Sequence, residues 1–353
     1  MAQGNRLGET ALYPRSHYAG VLKPELPAAT FAPARSRMLR VPIHLAIVVL
    51  GIVALAQHWL PWFLWPVASL AIGTSFACLT FVAHEALHGG IAKGKRLAYL
   101  LGWFGFVPFL VSPRLWMAWH NRDHHANTNT PDDPDAYPTL AKYRERASTR
   151  FSADMFSLGG RRWRGILSLV LGFTVQSADQ LFSSHALAPR ERKLAVAESA
   201  LAVVMWGTLA ALIGFVPFVF AYVLPVLIAN ACVMMFILTN HSLSPRMAIN
   251  DPLVGSLSVT TSRVVEWLTL GFGYHVEHHL FPAMSTRHGP AVRALVRQHW
   301  PERYQSMPLV TALVQLHTTA RVYKDPTTLF DPLTGREYPT LLPRVAEEVH
   351  LEI

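Results

Sequence analysis

Two stretches of the chain are almost free of charge. Residues 62–83 form a run of twenty-two with none, and residues 195–240 form a run of forty-six in which only Glu198, near one end, is charged. A helix rises 1.5 Å per residue, so the first run reaches about 30 Å, the thickness of a bilayer's hydrocarbon core. The second is about twice as long and has Gly214 and Pro217 near its middle, which predicts two spans joined by a tight turn. Another apolar run covers 41–60 and stops at Pro61. The pattern predicts an all-α integral membrane protein with four transmembrane helices, paired as hairpins at about 41–88 and 195–241. Residues 97–111 are apolar but too few to cross, and predict an interfacial or re-entrant helix. Residues 163–182 are patchily amphipathic.

Charge refines this picture. The chain has 353 residues, 51% hydrophobic and only 15% charged, against about 25% charged in soluble domains. Its net charge of +9 is placed unevenly: fifteen Lys and Arg fall between Gly89 and Lys193, and none in the short connections near Pro61 and Gly214. That asymmetry predicts a multi-pass protein whose two tight turns face away from the cytoplasm and whose termini face it. Basic residues flanking apolar spans match anionic lipid headgroups rather than nucleic acid. Residues 1–40 read as a cytosolic N-terminal arm, 41–289 as a membrane domain with cytosolic cap segments, and 290–353 as a cytosolic tail. The arm has four prolines and no hydrophobic h-region, so no cleavable signal is expected. The two cysteines, Cys78 and Cys232, lie in apolar runs and form no CxxC pair, which leaves the chain without an iron–sulfur centre of its own. The last five residues carry no lysine-based retrieval signal, which favours a bacterial inner membrane over the endoplasmic reticulum.

Eight of the seventeen histidines fall in three tight groups. His84 and His88 are one helical turn apart; His120 is followed at the same spacing by His124, with His125 next to it; His275, His278 and His279 are spaced i, i+3, i+4. Each group flanks an apolar segment. Imidazole suits Fe, Cu, Zn and Ni alike, and eight or nine ligands exceed what one ion needs. His17, His44, His58, His185, His288, His299, His317 and His350 lie outside these groups and read as surface or packing residues.

The three groups, in this order, resemble the signature HX(3–4)H, HX(2–3)HH, (H/Q)X(2–3)HH of the membrane fatty-acid desaturase and hydroxylase superfamily. The text around them is similar too: Asn127 and Asn129 followed by Asp132-Asp133-Pro134-Asp135, and Tyr274-His275 through Leu280-Phe281-Pro282. The resemblance covers roughly residues 71–290. It implies four transmembrane helices beneath a cytosolic helical cap that holds two irons, with His84, His88, His120, His124, His125, His275, His278 and His279 as ligands. It also implies a ninth ligand where the fourth span ends, the place of His241. Relatives often carry an asparagine one turn before that histidine; here Ile237 stands there and Asn240 is adjacent. Asp132 and Asp135, through their place in the motif, are the expected partners of ligand histidines, with Asn240 a further candidate.

The implied reaction uses O2 and two electrons to oxidise a C–H bond of a fatty acyl chain, presented on CoA, acyl carrier protein or lipid, or as the free acid. Desaturation is the first expectation. Hydroxylation, ketolation and 1-alkene-forming decarboxylation use the same boxes. An external electron donor, such as ferredoxin or cytochrome b5 with its reductase, is required, and the basic face could dock it. A rival reading takes His84-Glu85-Ala86-Leu87-His88 as the HExxH motif of an intramembrane zinc protease. That leaves two histidine groups without a purpose. A metal transporter would instead want its polar ligands inside the spans.

Overall fold

The computed structural model describes residues 6–8 and 10–343. Residues 349–353, read above for a retrieval signal, and His350 lie outside them. The chain is mostly helical, 65% of it, with four helices long and apolar enough to cross a membrane. The first is Arg40–Ala56, which continues out of the short 3₁₀ turn Arg35–Leu39. It ends four residues before the apolar run does, because His58 takes a left-handed φ of +52° and Pro61 opens the next turn. The second is Trp65–Leu87, the third Pro189–Ile213 and the fourth Leu224–His241, entered through helical turns that begin at Phe215. Gly214, at φ +83°, makes the turn between the last two, where the sequence placed it.

The spans explain the composition. Ile43, Val49, Leu50, Leu201, Val203, Val204 and Leu212 are exposed on their outer faces, a surface suited to lipid and not to water. Trp59, Trp62 and Phe63 at one hairpin tip and Phe215 at the other are exposed as well. Aromatic rings at that level fit a headgroup interface. The second and fourth spans cross closely at Gly73, where a Cβ would lie 2.7 Å from the Pro225 carbonyl oxygen.

The short apolar segment does not run on as one straight helix. Helix Lys95–Phe106 runs against the second span, with Gly105 so close that a Cβ would lie 2.4 Å from both the Leu79 oxygen and the Ala83 Cβ. After Leu110, at φ +63°, the chain bends by 104° into helix Pro113–Trp116, which Ser112 caps by accepting from the amides of Arg114 and Leu115. Its continuation, Met117–His124, is a π-helix. Residues 163–183 form two helices bent by 68°, the second being Gly172–Ser183.

The described segments before and after the membrane helices pack around the histidine-bearing end of the bundle. Helix Arg15–Glu25 buries Tyr18 and Leu22 against Val276, Leu280, Val292 and Val296. Beyond residue 289, helices Gly289–His299 and Leu309–Thr318 and a three-stranded antiparallel sheet (Val322–Asp325, Thr328–Phe330, Glu337–Pro339) pack there. Leu316, Tyr323 and Leu329 are fully buried in the same core as the spans.

Candidate metal centre

Each histidine group is aimed by a different local device. His84 and His88 project from the last turn of the second span. The next group lies on the π-helix, whose wider turn lets His125 N–H reach the His120 carbonyl, five residues back. The spacing alone predicts an ordinary α-turn. The widened backbone brings His125 beside His120, with Nε2 atoms 3.2 Å apart, and sends His124 to a different set of neighbours. The third group rides on helix His275–Leu280, whose start is capped by Ser258 Oγ accepting from the amides of His275 and Val276. Glu277 on this helix is fully buried away from the histidine clusters, and accepts from Ser258, Arg293 and Tyr304.

The rings gather in two sets. In one, His84 and His120 approach at 3.2 Å and His125 and His278 at 3.1 Å, all through Nε2. The ligand atoms of His84, His88, His120 and His278 all lie within 4.8 Å of one another. In the other, His275 Nε2 is 2.6 Å from His241 Nε2 and 3.1 Å from His279 Nε2, and His124, His241 and His279 group within 4.8 Å. His125 and His279 stack between the sets, centroids 4.4 Å apart. None of His17, His44, His58, His185, His288, His299 and His317 belongs to a metal-holding group among the described residues. His44 contacts Ser75 at 3.2 Å inside the spans.

Several rings have their tautomer set from behind. His241 Nδ1–H donates to the Gly255 carbonyl at 3.0 Å, and His124 Nδ1–H to Asp133 Oδ1 at 3.0 Å. His279 Nδ1 lies 3.3 Å from Thr128 Oγ1, whose proton goes to the His124 carbonyl. For His241 and His279 this contact leaves Nε2 as a lone pair facing its set, whereas His124 must give up its Nε2 proton to a bound cation. Burial, aided by neighbouring rings, holds His88, His120, His125, His275 and His279 well below the ordinary imidazole range and pushes His278 down to about 3. They are neutral at pH 7. Burial also opposes charge on His124, but Asp133 and Asp135 outweigh it and raise its pKa to about 9.

A metal fits this donor set. Neutral imidazoles offer lone pairs that cannot all be satisfied by one another, and His88 Nε2 is buried with no hydrogen-bond partner. A cation in each set would satisfy them together.

Of the expected acidic neighbours, Asp135 reaches a histidine and Asp132 does not. Asp132 is exposed, whereas buried Asp133 meets His124 and also accepts from the amides of Asn129 and Asp135. Asp135 lies 3.3 Å from His124 Nδ1 and accepts from Trp119 Nε1 and Gln176 Nε2. The motif alone gives no means of ranking three neighbouring aspartates; the left-handed Asn129, at φ +54°, curls the turn so that the middle one points inward. The Asn240 amide is fully buried with no hydrogen-bond partner and touches no histidine through one. Ile237, in contrast, lines the pocket that the histidines share. Glu85 is held by Arg37 and Thr286 and joins no metal-holding group, so it is not placed as the general base that the protease reading needs.

That pocket is narrow and mostly apolar. Its walls are Phe81, Phe106, Trp116, Trp119, Phe173, Val233, Ile237 and Phe272, with His84, His120, His124, His241 and His275 at one end. The space between them, mouth included, is about 560 Å³. Besides the histidines, its polar groups are Thr80, Asp135 and Gln176; sequence reasoning missed Gln176, which no motif marks.

Four helices apolar enough to cross a membrane, nine converging histidines and an apolar pocket suit a membrane enzyme with a metal centre. Residues 57–310 match the family described as fatty acid desaturase, and the chain belongs to that family. It is 25% identical to an sn-1 oleoyl-lipid 12-desaturase of Anabaena variabilis over 78% of this chain and 83% of the relative. It is 23% identical to a chloroplastic omega-6 fatty acid desaturase of Spinacia oleracea, over 72% of this chain and 57% of that one. A shorter match, 28% over 27% of this chain and 21% of the relative, is to a chloroplastic sn-2 acyl-lipid omega-3 desaturase (ferredoxin) of Helianthus annuus. The family implies iron, and the two histidine sets fit a di-iron histidine-box site.

Proposed function

We propose that the protein introduces a double bond into a fatty acyl chain. The observation that carries this is the pocket: a mostly apolar slot lined by aromatic and aliphatic side chains together with imidazoles from both sets. His84, His88, His120, His125 and His278 would hold one iron; His124, His241, His275 and His279 the other. Bound there, the irons supply the oxidising power, drawn from O2 and two external electrons, that removing hydrogen from an unactivated methylene demands. The overall balance is one –CH2–CH2– unit, O2, two electrons and two protons giving –CH=CH– and two waters.

The protein's own part is placement and exclusion. Trp116, Phe106 and Phe173 confine the chain on one side, Val233, Ile237 and Phe272 on another. Apolar walls keep bulk water from the reacting carbons, and fixed walls choose which methylene meets the histidine end. Asp133, through His124, and the Gly255 carbonyl, through His241, hold two ligand rings at fixed angles.

The proposed substrate is an acyl chain delivered from the bilayer, in keeping with the acyl-lipid relatives. The electron donor is assigned to the ferredoxin class on the same ground. The uneven spread of Lys and Arg supports placing the metal site and residues 1–40 and 290–353 on the cytoplasmic side of a bacterial inner membrane. Gas chromatography–mass spectrometry of lipids and volatiles from cells expressing the gene tests the reaction. A new double bond is expected; a hydroxy acid or a 1-alkene as sole product would overturn it.

A further inference from the structure

The first forty residues precede the stretch matched by the family, which begins at residue 57. Yet one of their side chains reaches the metal site's frame. Arg37 lies in the turn Arg35–Leu39, ahead of the first span. Its Nη1 contacts Glu85 Oε2, the Thr286 hydroxyl at 2.7 Å and the Leu270 carbonyl at 3.0 Å. Those three acceptors belong to separate parts of the centre. Glu85 adjoins ligand His84 in the second span. Leu270, at a strained φ of +55°, opens the turn that leads through Phe272 to His275. Thr286 follows the third histidine group and itself bonds Glu85 at 3.2 Å.

The environment makes these contacts matter. Glu85 is 4% exposed, and Arg37 is the cation that touches it. A buried carboxylate stripped of its partner is left uncompensated, so it either takes up a proton or draws the helix end that carries it toward solvent; either change releases the contacts that Arg37 ties together. His84 and His88 ride on that helix end. A backbone bond, Ala34 N–H to the Gly90 carbonyl at 2.8 Å, fastens the same segment just past His88.

We infer that Arg37 is a positioning residue of the metal centre: through Glu85, Leu270 and Thr286 it fixes the first histidine group against the third. The segment before the first span thus belongs to the site rather than forming a loose arm. The inference rests on the di-iron reading, and its test separates the two.

The full-length protein is loaded with Fe2+ in detergent, and iron per chain and its release to a chromogenic chelator are followed. The Co2+-loaded form gives a visible spectrum that reports ligand geometry. Two ions per chain in the unsubstituted protein support the underlying reading; no binding there would overturn that reading, whatever the variants do. Arg37→Met is expected to stay folded, release iron about tenfold faster or more and shift the Co2+ bands, with Arg37→Lys recovering part of both. Wild-type release and spectrum in folded Arg37→Met would overturn the inference. Should Arg37→Met fail to fold, the double variant Arg37→Met/Glu85→Gln, which removes both charges together, decides. Fast release from a folded double variant supports the positioning role. Wild-type release, or a double variant that also cannot fold, overturns it.

Discussion

Asp133 Oδ1 lies 3.0 Å from Nδ1 of His124, and both groups are buried almost completely. The carboxylate fixes the ring and makes its other nitrogen a better donor. Asp133→Asn keeps the shape and removes the charge, so iron affinity should fall by about 10–100-fold. Asp132→Asn, one residue away and exposed, should leave it unchanged. Metal titrations of the two variants side by side check the contrast; equal effects would contradict the geometry.

His278 faces His125 at 3.1 Å in the first set. His278→Ala should remove at least one iron per chain and abolish product. Elemental analysis beside product analysis checks it, and turnover that survives in this variant would refute the ligand assignment.

Acid should destabilise the metal-free protein. His278 titrates near 3 when folded and near 6.5 when unfolded, so between those values the unfolded chain binds more protons. Stability then rises with pH: the contribution is present above about 6.5 and is lost as pH falls toward 3. His88, His120, His125, His275 and His279 shift in the same direction. His124 has the opposite sign, its contribution fading as pH rises through about 9. The six outweigh the one, so the melting temperature of apoprotein in detergent should drop steadily from pH 7 to pH 4. A flat or rising profile would count against buried neutral imidazoles.

Val233 lines the pocket from the fourth span and is buried. Val233→Phe should fill the slot and cut turnover of long acyl chains by about tenfold or more, with iron content unaltered. Product yields across chain lengths test this; an unchanged profile would move the substrate elsewhere.

Gly105 leaves no space for a side chain against Leu79 and Ala83. Gly105→Val should destabilise the protein by about 1–3 kcal/mol, read as a lower melting temperature, because backbone rather than a flexible side-chain tip must yield.

Much of this was legible in the sequence because membrane spans and histidine spacing are strong local signals. The turn at Gly214, the break at Pro61 and the end of the fourth span at His241 follow from apolar length and turn chemistry. The grouping of the rings did not. Which histidines share a set depends on a backbone widening at Met117–His124 and on a crossing of distant segments, and neither leaves a periodicity to read. Asp133 could not be told from Asp132, since one residue's rotation in a turn decides which points inward. Arg37 had no motif at all, only a place in the fold opposite Glu85.

The widened turn bears on how such a site tolerates insertion and deletion. A box written HX(2–3)HH varies in length by one residue, which on a regular helix would swing a ligand through about 100° and empty its place. A backbone that takes up the extra residue as a π-turn keeps the rings where they were. Here the longer spacing, three residues between His120 and His124, is the one absorbed.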